Sequence, residues 1–309
     1  MSALGWFIMG IAALIGGAEL VVHGGSRLAA RLGVPPIVIG LTIVSIGTST
    51  PELAVGNIAG AITFNLLFIL GLSALLKPLA VSVRTIRFGL PTMIVVAVAL
   101  MAMAWNGVLS RVEGAVLVGA ALIYTVMIVR LTRRESRAVR AEFAREYGTP
   151  RDGRAPRDIV WNLGALAVGI TVTVVGSEWL VDGAVELARM LGVSDAFIGL
   201  TVVTFGTSSP ELVTTVVGTL RNTRDIAIGN LLGSSVYNIL LILGVTCLVA
   251  PSGVHVGLDL TRVGLPVMTA VTVACVPVFV SGRRVTRLEG ILFVGGYVAY
   301  LTYLVLTRT

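Results

Sequence analysis

The sequence predicts an all-α membrane protein, with ten transmembrane helices arranged as two inverted five-helix repeats. Composition, span length and an internal duplication predict it. Of the 309 residues, 56% are hydrophobic and 13% are charged, where a soluble domain carries about 25% charged residues. The mean hydropathy is +0.95. No soluble core hides that much apolar surface, but a bilayer does. Ten apolar stretches cover 4–22, 34–55, 57–76, 88–106, 112–131, 160–181, 194–218, 226–250, 263–280 and 288–307. Each is near the ~20 residues that a helix needs to cross the hydrocarbon core.

Charge placement supports ten spans. The net charge is +7, but the basic residues sit in short loops, which argues for a membrane surface and against nucleic acid. With the N-terminus outside, 19 of the 23 basic residues fall on inside connections. These are Arg27 and Arg31; Lys77, Arg84 and Arg87; nine arginines from Arg130 to Arg157; Arg221 and Arg224; and Arg283, Arg284 and Arg287. Only Arg111, Arg189, Arg262 and Arg308 remain outside. The positive-inside rule then puts both termini outside and the central linker in the cytoplasm, in a multi-pass protein of the cell membrane.

The chain divides into a first repeat (1–132), an Arg-rich linker (133–157) and a second repeat (158–309). Cys247 and Cys275 lie in apolar spans and read as small buried hydrophobes. The first twenty residues lack a basic leader and read as the first span.

The halves match in detail. Gly40 to Leu53 reads GLTIVSIGTSTPEL and Gly199 to Leu212 reads GLTVVTFGTSSPEL, identical at ten of fourteen positions at an offset of 159. GNIAGAITFNLLFILG from Gly56 matches GNLLGSSVYNILLILG from Gly229, and Arg111-Val112-Glu113-Gly114 matches Arg287-Leu288-Glu289-Gly290. The repeat therefore spans five helices. Five is odd, so the second copy enters the membrane from the opposite side, as in many secondary transporters.

The site follows from the duplicated residues. Glu52 and Glu211 lie within apolar spans, where charge costs several kcal/mol unless it faces a partner or a cavity. Pro51 and Pro210 free the carbonyls of Gly47 and Gly206, and Thr48, Ser49, Thr207 and Ser208 add hydroxyls. This set is all oxygen, which suits hard cations: calcium takes six to eight oxygens, and two carboxylates match its charge. Sodium fits the same oxygens. Asn65 and Asn238 stand symmetrically in the following spans as further ligands. Asn57 and Asn230 read as helix starts or packing contacts, and Glu19 as an interface residue.

The doubled G-T-S-x-P-E followed by G-N-x-x-G-x-x-x-x-N resembles the alpha repeats of the calcium/cation antiporter superfamily, above all its prokaryotic sodium/calcium exchangers. The resemblance runs from about Leu4 to Thr307. It implies a secondary transporter and not an enzyme, with no cofactor, whose partners are the bilayer and the transported calcium and sodium. A monomer suffices. It places the site between spans 2, 3, 7 and 8, with access alternating as spans 1 and 6 slide. Calcium would then be held by Glu52, Glu211 and the carbonyls of Thr48 and Thr207, and sodium by Ser49, Ser208 and Ser234, with Asn65 and Asn238 lining the centre.

The chain departs from that pattern in two ways. Ala61 stands where the family carries a hydroxyl, and Asn238 where some members carry a carboxylate. Glu211 to Asn230 is 19 positions, whereas Glu52 to Asn57 is 5. The first repeat thus lacks 14 residues, about 21 Å of helix at 1.5 Å per residue. Proton/calcium exchange and a non-transporting ion-binding relative are the alternatives. A membrane hydrolase is disfavoured, because two histidines build no H-E-x-x-H motif.

Overall fold

The computed structural model describes residues 2–32, 34, 36–45, 55–83, 85–133, 156–193, 202 and 204–308. Among the described residues, eight helices are long and apolar enough to cross a membrane: Ala3–Leu32, Val55–Leu76, Thr85–Asn106, Arg111–Arg130, Ile159–Met190, Arg224–Val249, Leu260–Val280 and Arg287–Thr307. They are spans 1, 3, 4, 5, 6, 8, 9 and 10. Span 7 is interrupted, and span 2 is described only in its first part. Span 2 is described as a short helix, Pro36–Ile39, continuing into a π-helical turn, Gly40–Val44. Span 7 is described as Thr204–Thr207 and Ser209–Leu220. Most of the Arg-rich linker, residues 134–155, lies outside the described residues.

The architecture is the expected one: helices throughout, in two repeats of opposite sense. Four two-residue strands make the inversion visible. β1 (Leu79–Ala80), after span 3, pairs antiparallel with β4 (Arg284–Val285), after span 9. β2 (Val108–Leu109), after span 4, pairs with β3 (Val254–His255), after span 8. The repeat relation carries β1 onto β3 and β2 onto β4, so it exchanges the two ladders. A pseudo-two-fold axis in the membrane plane produces that exchange.

Spans 1 and 6 form a long antiparallel pair. Gly10, Gly17 and Gly24 on span 1 face Gly169, Gly176 and Gly183 on span 6, each set spaced by seven residues. That period keeps a contact line on one face of a helix. A Cβ at Gly10, Gly17, Gly169, Gly176 or Gly183 would come within 3.0 Å of the partner helix's backbone. Such small-residue seams give membrane helices the packing that the hydrophobic effect does not supply in lipid.

The remaining spans build the main core around spans 3 and 8, the most buried of the long helices. Span 2 lies on span 8 through glycine contacts: a Cβ at Gly40 would sit 2.8 Å from the Ile226 carbonyl oxygen, and one at Gly229 would sit 2.7 Å from that of Ile37. The first half of span 2 therefore keeps its packed position despite the short connection after it. Cys247 and Cys275 are buried free thiols, as their apolar surroundings led us to expect.

Candidate cation site

Span 7 breaks beside its proline. Pro210 has no N–H, so the carbonyl of Gly206 loses its helical partner. Ser209 repairs this: its hydroxyl donates to the Gly206 carbonyl oxygen at 2.7 Å. One lone pair of the freed carbonyl is thus taken by a residue that the sequence reading did not consider. The helix resumes at Ser209, which puts Glu211 in its first turn. There the helix dipole favours a carboxylate.

Glu211 is 1% exposed, and Ser208, Asn230, Ser234 and Asn238 are fully buried. Thr207 is half-buried, and its hydroxyl donates to the Thr204 carbonyl at 3.3 Å. Spans 7 and 8 form an antiparallel hairpin through Arg221–Thr223. A Cβ at Gly218 would meet that of Ala227 at 3.3 Å, which fixes the register. Seven residues back on span 7 and seven forward on span 8, Glu211 comes level with Ser234. Asn230, Ser234 and Asn238 are spaced by four and share one side of span 8. The hydroxyl of Ser234 has no hydrogen-bond partner among the described residues, nor does Oδ1 of Asn65. Buried polar atoms in that condition are the raw material of an ion site.

Asn65 and Asn238 share one further feature. Each is the first residue of a π-helical turn, Asn65–Ile69 in span 3 and Asn238–Leu243 in span 8. A π-bulge widens a helix locally and recurs at functional positions. The turn after Asn65 packs against the helix carrying Glu211, and the turn after Asn238 packs against the first half of span 3. An aromatic cluster closes this region. Phe64, just before Asn65, meets Phe205, just before Gly206, edge to face at 4.6 Å between centroids, and both pack on Tyr297 of span 10.

The first-repeat candidates Thr48, Ser49 and Glu52 lie outside the described residues. The spans on either side of them are in place. At the end of span 2, the buried Ser45 hydroxyl reaches the Gly40 carbonyl at 2.5 Å and the Asn230 carbonyl of span 8 at 3.1 Å. Asn230 is therefore no helix start. Span 8 begins six residues earlier, at Arg224, and Gly229 provides the close approach to span 2. Its counterpart Asn57 does stand near a helix start. It is half-buried and borders a cavity of about 400 Å³ with Gly60, Thr204, Asp259 and Tyr297. Glu19 behaves as an interface residue: Arg221 donates to it at 2.7 and 3.0 Å.

Comparison with known proteins decides the family. The family described as sodium/calcium exchanger protein matches residues 2–55, 51–130 and 161–306. The chain belongs to the sodium/calcium exchanger family. It is 33% identical to the inner membrane protein YrbG of Escherichia coli (strain K12), over 96% of this chain and 95% of that one. It is 30% identical to the sodium/calcium exchanger MaX1 of Methanosarcina acetivorans, over 96% and 97%. Its fold superposes on the sodium-calcium exchanger NCX_Mj with a TM-score of 0.82 and 27% identity, covering 97% of this chain and 98% of that one. This exchanger-family chain is accordingly a multi-pass membrane transporter of the cation/calcium antiport type, and not an enzyme. The YrbG alignment runs over 316 positions, more than the 309 residues present here, so the relative carries residues that this chain lacks. The first-half match is split in two at residues 51–55, beside the short connection.

Proposed function

We propose that the chain exchanges calcium for sodium across the cell membrane, with both termini outside and the Arg-rich linker in the cytoplasm. The observation that carries this reading is Glu211. It is a buried carboxylate at the start of a half-helix, level with Ser234, and the helix that carries it packs against the turn that begins at Asn65. A buried carboxylate in a membrane span costs several kcal/mol unless it faces a partner or a cavity, and a bound cation is one such partner. Glu211 would hold calcium with Glu52 and the carbonyls of Thr48 and Thr207. Ser49, Ser208 and Ser234 would serve sodium, and Asn65 and Asn238 would line the centre. The likeness to exchangers named for sodium and calcium supports sodium as the counter-ion. Vesicles holding the purified chain test this at clamped pH. An imposed sodium gradient should drive calcium uptake, and a proton gradient alone should not; the reverse result would assign proton coupling.

A second reading is an ion-binding relative without transport. The 14-residue deficit after Glu52 favours it, because the missing stretch is the second half of span 2. Calcium binding without sodium-driven flux would establish that reading.

A further inference from the structure

Many buried hydroxyls in these spans share one habit, although Ser26, Ser73, Ser234 and Thr269 do not follow it. Thr42, Thr63, Thr173, Thr219, Ser235 and Thr272 each turn back to the carbonyl four residues earlier, at 2.6–2.9 Å. That is the ordinary way to bury a hydroxyl in a helix. Thr214 and Thr215 break the habit. Both are 0% exposed, and the hydroxyl oxygen of each has no hydrogen-bond partner among the described residues. A buried hydroxyl without a partner is a cost to the fold.

Their position suggests why that cost is borne. At 3.6 residues per turn, Glu211, Thr214, Thr215, Gly218 and Thr219 fall on one face of the helix Ser209–Leu220. Val213 and Val217 occupy the opposite face and pack on Ala18 and Val22 of span 1. This face runs from Glu211 to the turn that begins at Arg221, beside Arg224 at the start of span 8. Thr214 and Thr215 are the first step beyond Glu211 toward that basic face. The hairpin register sets Thr215 level with Asn230. The last turns of span 3 also pack against this helix and carry Ser73, another buried hydroxyl without a partner among the described residues.

We propose that Thr214 and Thr215 form a transit station for the exchanged cation between Glu211 and the basic face. This rests on the cation-exchange reading of the site. The step holds two neutral hydroxyls and no carboxylate. It would replace part of an ion's hydration without trapping the ion, as a conduction path requires. The stripe has no such continuation in the first repeat, where two residues, Leu53 and Ala54, separate Glu52 from Val55.

Calcium exchange in vesicles tests the proposal, comparing the wild type with Thr214→Val/Thr215→Val and with Thr214→Ser/Thr215→Ser. The valine pair should lower the maximal rate about tenfold, equivalent to a barrier raised by about 1.4 kcal/mol. It should leave the half-saturating calcium concentration unchanged and melt higher than the wild type, because two unpaired hydroxyls are gone. The serine pair should exchange like the wild type. A valine pair that exchanges at the wild-type rate overturns the proposal, and so does one that loses rate only together with melting temperature. A second measurement needs no flux. With Cys247→Ala and Cys275→Ala as background, Thr215→Cys should react with a small cationic methanethiosulfonate, and calcium should slow that reaction. If the wild type exchanges no calcium, the transport reading fails and this reaction alone decides: protection by calcium supports the station, and a thiol inert under every ionic condition overturns it.

Discussion

Arg221 donates from Nε and Nη2 to one carboxylate oxygen of Glu19, at 3.0 and 2.7 Å, and so ties the turn between spans 7 and 8 to span 1. The Glu19 bond and charge raise the pKa of the Arg221 guanidinium, which is already always charged. His23 approaches the other Glu19 oxygen at 3.4 Å. The three groups are partly exposed, so the tie adds little to global stability. Its importance is mechanical: if span 1 slides during exchange, this pair must separate. Glu19→Gln should leave the melting temperature nearly unchanged and speed calcium exchange about threefold, less than the tenfold that ~1.4 kcal/mol would give. The reversed pair, Glu19→Arg with Arg221→Glu, should return the rate toward wild type. Rates in both variants equal to wild type would show that span 1 does not move past this turn.

The seam between spans 1 and 6 makes a second prediction. A Cβ at Gly176 would lie 2.9 Å from the backbone nitrogen of Leu14 and 3.1 Å from the Gly10 carbonyl oxygen. One at Gly16 would meet nothing within 4 Å. Gly176→Ala should therefore destabilise by about 1–3 kcal/mol through overpacking and slow exchange. Gly16→Ala should leave the melting temperature unchanged or raised, since alanine is the better helix former. Thermal melts in detergent read both.

Much of this architecture was legible in the sequence, for identifiable reasons. The spans showed because lipid imposes length and apolarity on every one of them. The candidate residues of span 7 stood out because a charged residue beside a proline is costly within an apolar span and occurs twice. Other features left no local signature. The π-turns at Asn65 and Asn238 insert a register shift into helices whose composition is ordinary, so no residue type marks them. Of the two readings of Asn230, helix start or packing contact, the second holds: in span 8 it lies within a helix that is already under way, and Gly229 beside it serves the close packing. Ser209 was passed over because its partner is a carbonyl that only the kink at Pro210 exposes. The pairing of Leu79 with Val285 joins loops more than two hundred residues apart, beyond the reach of any local pattern.

The short first repeat makes a third prediction. Ser45 is fixed to span 8 and span 3 resumes at Val55, so only 46–54 connect them. In the second repeat, 23 residues lie between the equivalent Thr204 and Ile228. Gly56 is exposed and Gly60 half-buried, whereas their counterparts Gly229 and Gly233 are buried. Inserting fourteen residues after Val55, copied from the second repeat, should raise sodium-driven calcium flux by restoring the second half of span 2. Equal flux in the two chains would show that the missing half-helix is dispensable.

The account depends most on Glu211, the buried acid that span 7 carries beside its broken turn. The direct measurement is calcium uptake into vesicles under an imposed sodium gradient, with wild type and Glu211→Gln compared side by side. Glutamine keeps the shape of the side chain and removes its charge. The account predicts uptake by the wild type and loss of about a hundredfold or more in the variant, the effect of roughly 3 kcal/mol of cation stabilisation. Undiminished uptake by Glu211→Gln would contradict it.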